Sequence, residues 1–152
     1  MTDYNSLAQQ VSGLISGVPH LIANLSNASA ALWGAMENIN WVGFYLMEDG
    51  KLVLGPFQGR PACIEITLNR GVCGAAVTTG ESQLVPDVHA FPGHIACDAA
   101  SRSELVVPLR RRGEIVAVLD VDSPLTGRFT EADRAGLEQV AAVLERELEK
   151  LW

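Results

Sequence analysis

Apolar residues recur at helical spacing at both ends of the chain and at strand spacing between them. In YNSLAQQVSGLISGV, Leu7, Val11, Leu14 and Ile15 fall at i, i+4, i+7 and i+8, one face of an amphipathic helix. Gly17 and Pro19 end it, and HLIANLSNASAALWGAM, with Leu21, Ile22, Leu25 and Leu32, predicts a second helix. From Asn40 to Gly59 the period drops to two. Trp41, Gly43 and Tyr45 share one face of a strand, Val42, Phe44 and Leu46 the other, and Asp49-Gly50 marks a tight hairpin turn. CIEITL predicts a short third strand, GVCGAAVTTGE a small-residue helix bounded by glycines, and SQLVPD a strand ending at Pro86. ELVVPLRRRGEIVAVLDVD predicts a second hairpin. TEADRAGLEQVAAVLERELEKLW predicts the closing helix, with Thr130 as N-cap, Asp133 three residues on, and Leu137, Val140, Leu144 and Leu148 as its apolar stripe. Helices at both ends thus enclose hairpin-connected strands. That order predicts an α+β domain with an antiparallel sheet and helices packed on one face.

Pro86 to Ser103 is the exception. It has no period of its own and is long for a connection in a compact domain, and such loops are often functional. It contains HAFPGHIACDAASRSE, with Cys97 flanked by ionisable groups.

Composition narrows the classes. The 152 residues suit a single domain, 1–152, with a full core. No apolar run approaches the roughly 20 residues of a membrane span, and MTDYNSLAQQ has neither the basic cluster nor the apolar stretch of a signal peptide. A cytoplasmic location is the expectation. The net charge of −7 opposes nucleic-acid binding, and the one basic run, Arg110 to Arg112 beside Gly113, reads as a solvated hairpin turn.

The three cysteines, Cys63, Cys73 and Cys97, are an odd number, which argues against a structural disulfide framework. His89, His94 and Cys97 lie close in sequence but lack paired short-spaced ligands, so no metal is expected. Cys97 with His94 and Asp98 makes only a weak case for a hydrolytic triad, because such triads are assembled in space. A redox thiol fits better. It needs a polar, partly open setting and a second thiol to resolve its oxidised form. For Cys63 and Cys73 the alternative is a small buried hydrophobe. AVLDVDS ends an apolar strand with Asp120 and Asp122 on one face, and Glu104 opens the neighbouring strand. These carboxylates mark either a strand end entering solvent or a polar pocket for a cationic or protonatable ligand. A carboxyl held in an apolar pocket has a raised pKa and can donate a proton. Trp41 and Tyr45 would wall such a pocket, or serve simply as core.

NWVGFYL, GPFQGRPACIEI, GVCG, LVPDVHAFPGHIACDAAS, SELVVPL and LDVDS together closely resemble the free methionine-(R)-sulfoxide reductases, built on a GAF domain, over Asn40 to Phe129. The resemblance implies a six-stranded antiparallel sheet, with the N- and C-terminal helices packed on one face and a closed pocket in front. It implies thiol-dependent reduction of the free amino acid sulfoxide, without a bound cofactor, recycled by thioredoxin. It implies that Cys97 attacks the sulfoxide sulfur and that Cys63 resolves the sulfenic acid as a disulfide, with Cys73 an auxiliary thiol or a bystander. Glu104, Asp120 and Asp122 would bind substrate, with Glu104 and Asp122 assisting catalysis, and Trp41 and Tyr45 would contact the S-methyl group. A symmetric homodimer is also expected. The competing reading is a non-catalytic GAF sensor that binds a small molecule in the same pocket.

Overall fold

The computed structural model describes residues 1–94 and 97–152; Ile95 and Ala96, within the HIACD stretch of the long loop, lie outside the described residues. The chain runs α1 (Tyr4–Ile15), α2 (Leu21–Ala35), β1 (Trp41–Glu48), β2 (Lys51–Gly59), β3 (Glu65–Ile66), α3 (Gly71–Thr79), β4 (Gln83–Val85), β5 (Ser103–Arg111), β6 (Glu114–Ser123) and α4 (Glu131–Leu148). The strands form one six-stranded sheet in the order β3-β2-β1-β6-β5-β4, and every neighbouring pair is antiparallel.

Local chemistry accounts for the ends of these elements. Asp3 caps α1 by accepting the Ser6 N–H at 3.1 Å. Thr130 and Asp133 form a reciprocal capping box at the start of α4. The hairpin turns place Asp49 and Gly50, and Arg112 and Gly113, at positive φ, the geometry a two-residue connection needs. Gly43 is required for a different reason: a Cβ there would stand 2.3 Å from Phe57 Cβ, beside the irregularity where β2 bulges against β1.

The α1, α2 and α4 helices cover the rear of the sheet. Val42, Phe44, Leu105, Val107, Leu119 and Val121 point into that layer and meet Leu25, Leu32, Leu137 and Leu144. This is the one-face packing that the residue pattern predicts, with one correction: α3 packs on the front, where Val72, Cys73 and Ala76 join Trp41, Tyr45, Val106 and Val118. Gly74 lets α3 pack against the Thr67–Leu68 segment that precedes it, since a Cβ would stand 2.7 Å from the Leu68 carbonyl oxygen. Two residues of the predicted helical stripes are also displaced. Leu14 and Ile22 are 40% and 59% exposed, whereas Ile15 and Leu25 on the same helices are buried. The third strand is shorter than its sequence suggests. It pairs with β2 only through Ile66–Leu52 and Glu65–Val53, and Cys63 is drawn away into a bond with the long loop.

Candidate active site

Strand alternation builds the floor of a pocket on the front of the sheet. Trp41 and Tyr45 from β1, Glu104 from β5, and Asp120 and Asp122 from β6 all project to that side. Register makes them neighbours: Trp41 and Glu104 both stand opposite Asp122, and Gly43 and Val106 both stand opposite Asp120. The first turn of α3, with Gly71, Val72 and Cys73, forms one wall, and the long loop closes another with His94, Cys97, Asp98 and Ser101. The pocket has a volume of ≈ 50 Å³.

Cys63 and Cys97, 34 residues apart, are joined by a disulfide with Cα atoms 5.4 Å apart. Both ends of this bridge are held. The Tyr45 hydroxyl donates to the Cys63 carbonyl at 2.9 Å, and Trp41 Nε1 donates to the Arg60 carbonyl at 3.2 Å. The aromatic pair therefore anchors the Cys63 segment as well as walling the pocket. Trp41 stacks on Tyr45 and on Phe57, with ring centroids 5.8 Å and 5.2 Å away. The Cys97 segment is tied by Asn40, whose Nδ2 donates to Asp98 Oδ2 at 3.2 Å and to Ser101 Oγ at 3.1 Å. Backbone bonds fasten the rest of the loop: Gly71 N–H to the Gly93 carbonyl, Val88 N–H to that of Arg102, and Arg102 N–H to that of Ser123. Cys73 is buried and is not part of the bridge.

The electrostatics are those of crowded acids removed from water. Burial, and then the charges of Asp120 and Asp122, hold the Glu104 carboxyl well above the usual carboxylate range. Asp122 is likewise raised well above it, by burial and by Asp120, and Asp120 is raised by burial. Burial also pushes up the Cys73 thiol, with Asp120 and Glu104 adding to the effect, so Cys73 is a neutral thiol and a poor nucleophile. Tyr45 is raised by burial and by Asp120, which keeps its phenol a neutral donor. His94 is lowered by burial and by His89, whose ring meets it edge-on at 6.1 Å. Among the described residues, no lysine or arginine lines the pocket to balance the carboxylates. The site therefore favours the protonated form of its carboxyls and can welcome a cationic group.

All eight residues singled out in the sequence contribute to this region. Cys97, Cys73, Trp41, Tyr45, Glu104, Asp120 and Asp122 line the pocket, and Cys63 is bonded to Cys97 at its edge. Asn40 and Ser101 were not singled out. They meet through a hydrogen bond between the residue preceding β1 and the long loop, 61 residues apart, and no local pattern announces that.

A model of the GAF domain matches residues 25–149. The chain is 51% identical over 145 residues to the free methionine-R-sulfoxide reductase of Escherichia coli, covering 95% of this chain and 88% of that one. It is 52% identical over 148 residues to protein YtsP of Bacillus subtilis, covering 96% and 91%. A solved structure of fRMsr of Staphylococcus aureus in complex with substrate superposes with a TM-score of 0.93 at 49% identity, covering 97% of each chain. The chain belongs to the free methionine-R-sulfoxide reductase family. Its GAF fold and six-stranded sheet are those the resemblance implied. The terminal helices support the sheet from behind, which leaves the front for the pocket and α3.

Proposed function

We propose that the protein reduces free L-methionine (R)-S-oxide to L-methionine, with Cys97 as nucleophile and an external dithiol as reductant. The observation that carries this reading is the Cys63–Cys97 bridge at the edge of a pocket floored by Glu104, Asp120 and Asp122. Once the bridge is reduced, Cys97 as thiolate attacks the sulfoxide sulfur and Glu104 gives its proton to the oxygen. The oxygen passes to Cys97. Methionine leaves with its sulfur reduced by two electrons, and Cys97 becomes a sulfenic acid. The Cys63 thiol then displaces water from Cys97 and re-forms the disulfide. Thioredoxin returns two electrons by thiol exchange and resets the site. A cytoplasmic setting, where thioredoxin keeps thiols reduced, suits this cycle.

Each group of the substrate has a complementary partner. Asp120 and Asp122 face the ammonium, Trp41 and Tyr45 the methyl group, and the first turn of α3 offers backbone N–H groups and its dipole to the carboxylate. A peptide has neither charge. The sulfur must face Cys97 while the oxygen faces Glu104 and the methyl faces the aromatic pair, so only one enantiomer satisfies all three. The relatives' names give it as R. A non-catalytic sensor would leave the Cys63–Cys97 bridge without a purpose. The test is a racemic sample of free methionine sulfoxide with a thioredoxin system, followed by chiral chromatography. The expected result is loss of the R form alone, with little conversion of N-acetylated substrate. Loss of both enantiomers, or comparable rates on a sulfoxide-containing peptide, would overturn the reading.

A further inference from the structure

Cys73, Glu104 and Asp120 converge from three elements: the first turn of α3, the start of β5 and the middle of β6. One ligand atom from each lies within 4.8 Å of the other two, and Cys73 Sγ stands 4.0 Å from Glu104 Oε2. All three side chains are buried. In a tetrahedral zinc site, with Zn–S near 2.3 Å and Zn–O near 2.0 Å, neighbouring sulfur and oxygen ligands stand roughly 3.5 Å apart. The cluster is thus slightly open for an ion and closes on one by small side-chain rotations.

A second observation points the same way. Asp120 is only 5% exposed, and its Oδ1 has no hydrogen-bond partner among the described residues. Buried polar atoms are nearly always satisfied, and an orphan calls for an explanation. The acids around it carry no lysine or arginine among the pocket's described lining. One thiolate with two carboxylates is a mixed soft and hard donor set. It suits borderline transition ions such as Zn²⁺ and Co²⁺ and does not suit Mg²⁺ or Ca²⁺, which take oxygen ligands.

We propose that Cys73, Glu104 and Asp120 bind a borderline divalent transition ion, with the remaining coordination position open to the pocket. Binding exchanges the ion for the thiol proton of Cys73 and for protons held on the carboxyls, and no electrons move. Cys63 and Cys97 take no part in the site, but Glu104 and Asp120 also serve the proposed reaction, so ion and sulfoxide compete for the same pocket. The site gives Cys73, which is outside the bridge, a chemistry of its own.

The oxidised protein provides a clean test, since its Cys63–Cys97 bridge leaves Cys73 as the sole free thiol. Titration with Co²⁺ is expected to produce a sulfur-to-cobalt charge-transfer band in the near ultraviolet that saturates at one ion per chain and is reversed by Zn²⁺. Cys73→Ser should abolish the band. Asp120→Asn should weaken cobalt binding by roughly tenfold or more, since even ligand-supporting residues are worth ~10–100-fold. Absence of the band in the wild type, or its persistence in Cys73→Ser, would overturn the proposal. Calorimetry of the wild type with Zn²⁺ in buffers of different ionisation enthalpy needs no variant to fold. Proton release on binding supports the site, and binding without it refutes thiolate coordination.

Discussion

The two faces of β6 are one residue out of step and chemically opposite. Ala117, Leu119 and Val121 look back into the helices, while Val118, Asp120 and Asp122 look forward into the pocket. The rear layer is apolar and closely covered, so each side chain there stabilises the fold by leaving water. The front layer carries three carboxyls, two of them buried, at a site with no cationic side chain among its described lining. Removing such groups from water opposes folding, and they persist because the rest of the sheet over-determines their positions. The rear therefore governs stability and the front governs chemistry.

Substitutions sharpen or break that division. The largest expected effect is Cys97→Ser, which should abolish turnover with any reductant. Cys63→Ser should retain one methionine released per enzyme while losing thioredoxin-driven turnover, read by rapid quench and by steady-state assay. Equal loss of the burst in both variants would refute the two roles. Next comes Glu104→Gln, which keeps shape and removes the proton: the rate should fall by ~10²–10⁴-fold with no loss of thermal stability. A rear-face truncation should do the converse. Leu144→Ala, at a fully buried position in α4, should cost about 2–5 kcal/mol in denaturant unfolding and leave the kinetics of the folded fraction unchanged.

A smaller effect is expected with pH. Glu104, Asp120 and Asp122 titrate higher in the fold than in the unfolded chain. Between those two values the folded state binds more protons, so stability falls as pH rises. The associated stability is fully present below the ordinary carboxylate range, about 4, and is lost as pH climbs through the raised values. Melting temperature measured from pH 4 upward should decline less steeply in Glu104→Gln than in the wild type. Equal slopes would mean that Glu104 is not held protonated. The smallest change is Thr130→Ala, which should lower stability by ~1 kcal/mol through loss of the α4 cap and leave activity intact.

Much of this was legible along the chain because it is written in local periods. The two hairpins, the α4 cap and the outer helices follow from spacing and turn residues that act on near neighbours. Asp120 and Asp122 share a face by strand alternation alone. The placement of α3 on the front was not legible, because GVCGAAVTT is apolar all round and has no stripe to orient it. Nor were Asn40 and Ser101, whose partners lie about 60 residues away in sequence, at separations of 58 and 61.

The sequence by itself determined the element types, the alternation of β6, the acidic charge and the motifs that carry the family resemblance. The resemblance implied the pairing of Cys63 with Cys97, which the structure contains; only the tertiary structure decided that Glu104 stands opposite Asp122 and that Cys73 is buried beside two acids outside the bridge. The reason is physical. Periodicity is fixed by backbone geometry within a few residues, whereas the proximity of a thiol to a carboxyl depends on strand order and on which face of the sheet a helix covers, and those are settled by the packing of the whole chain.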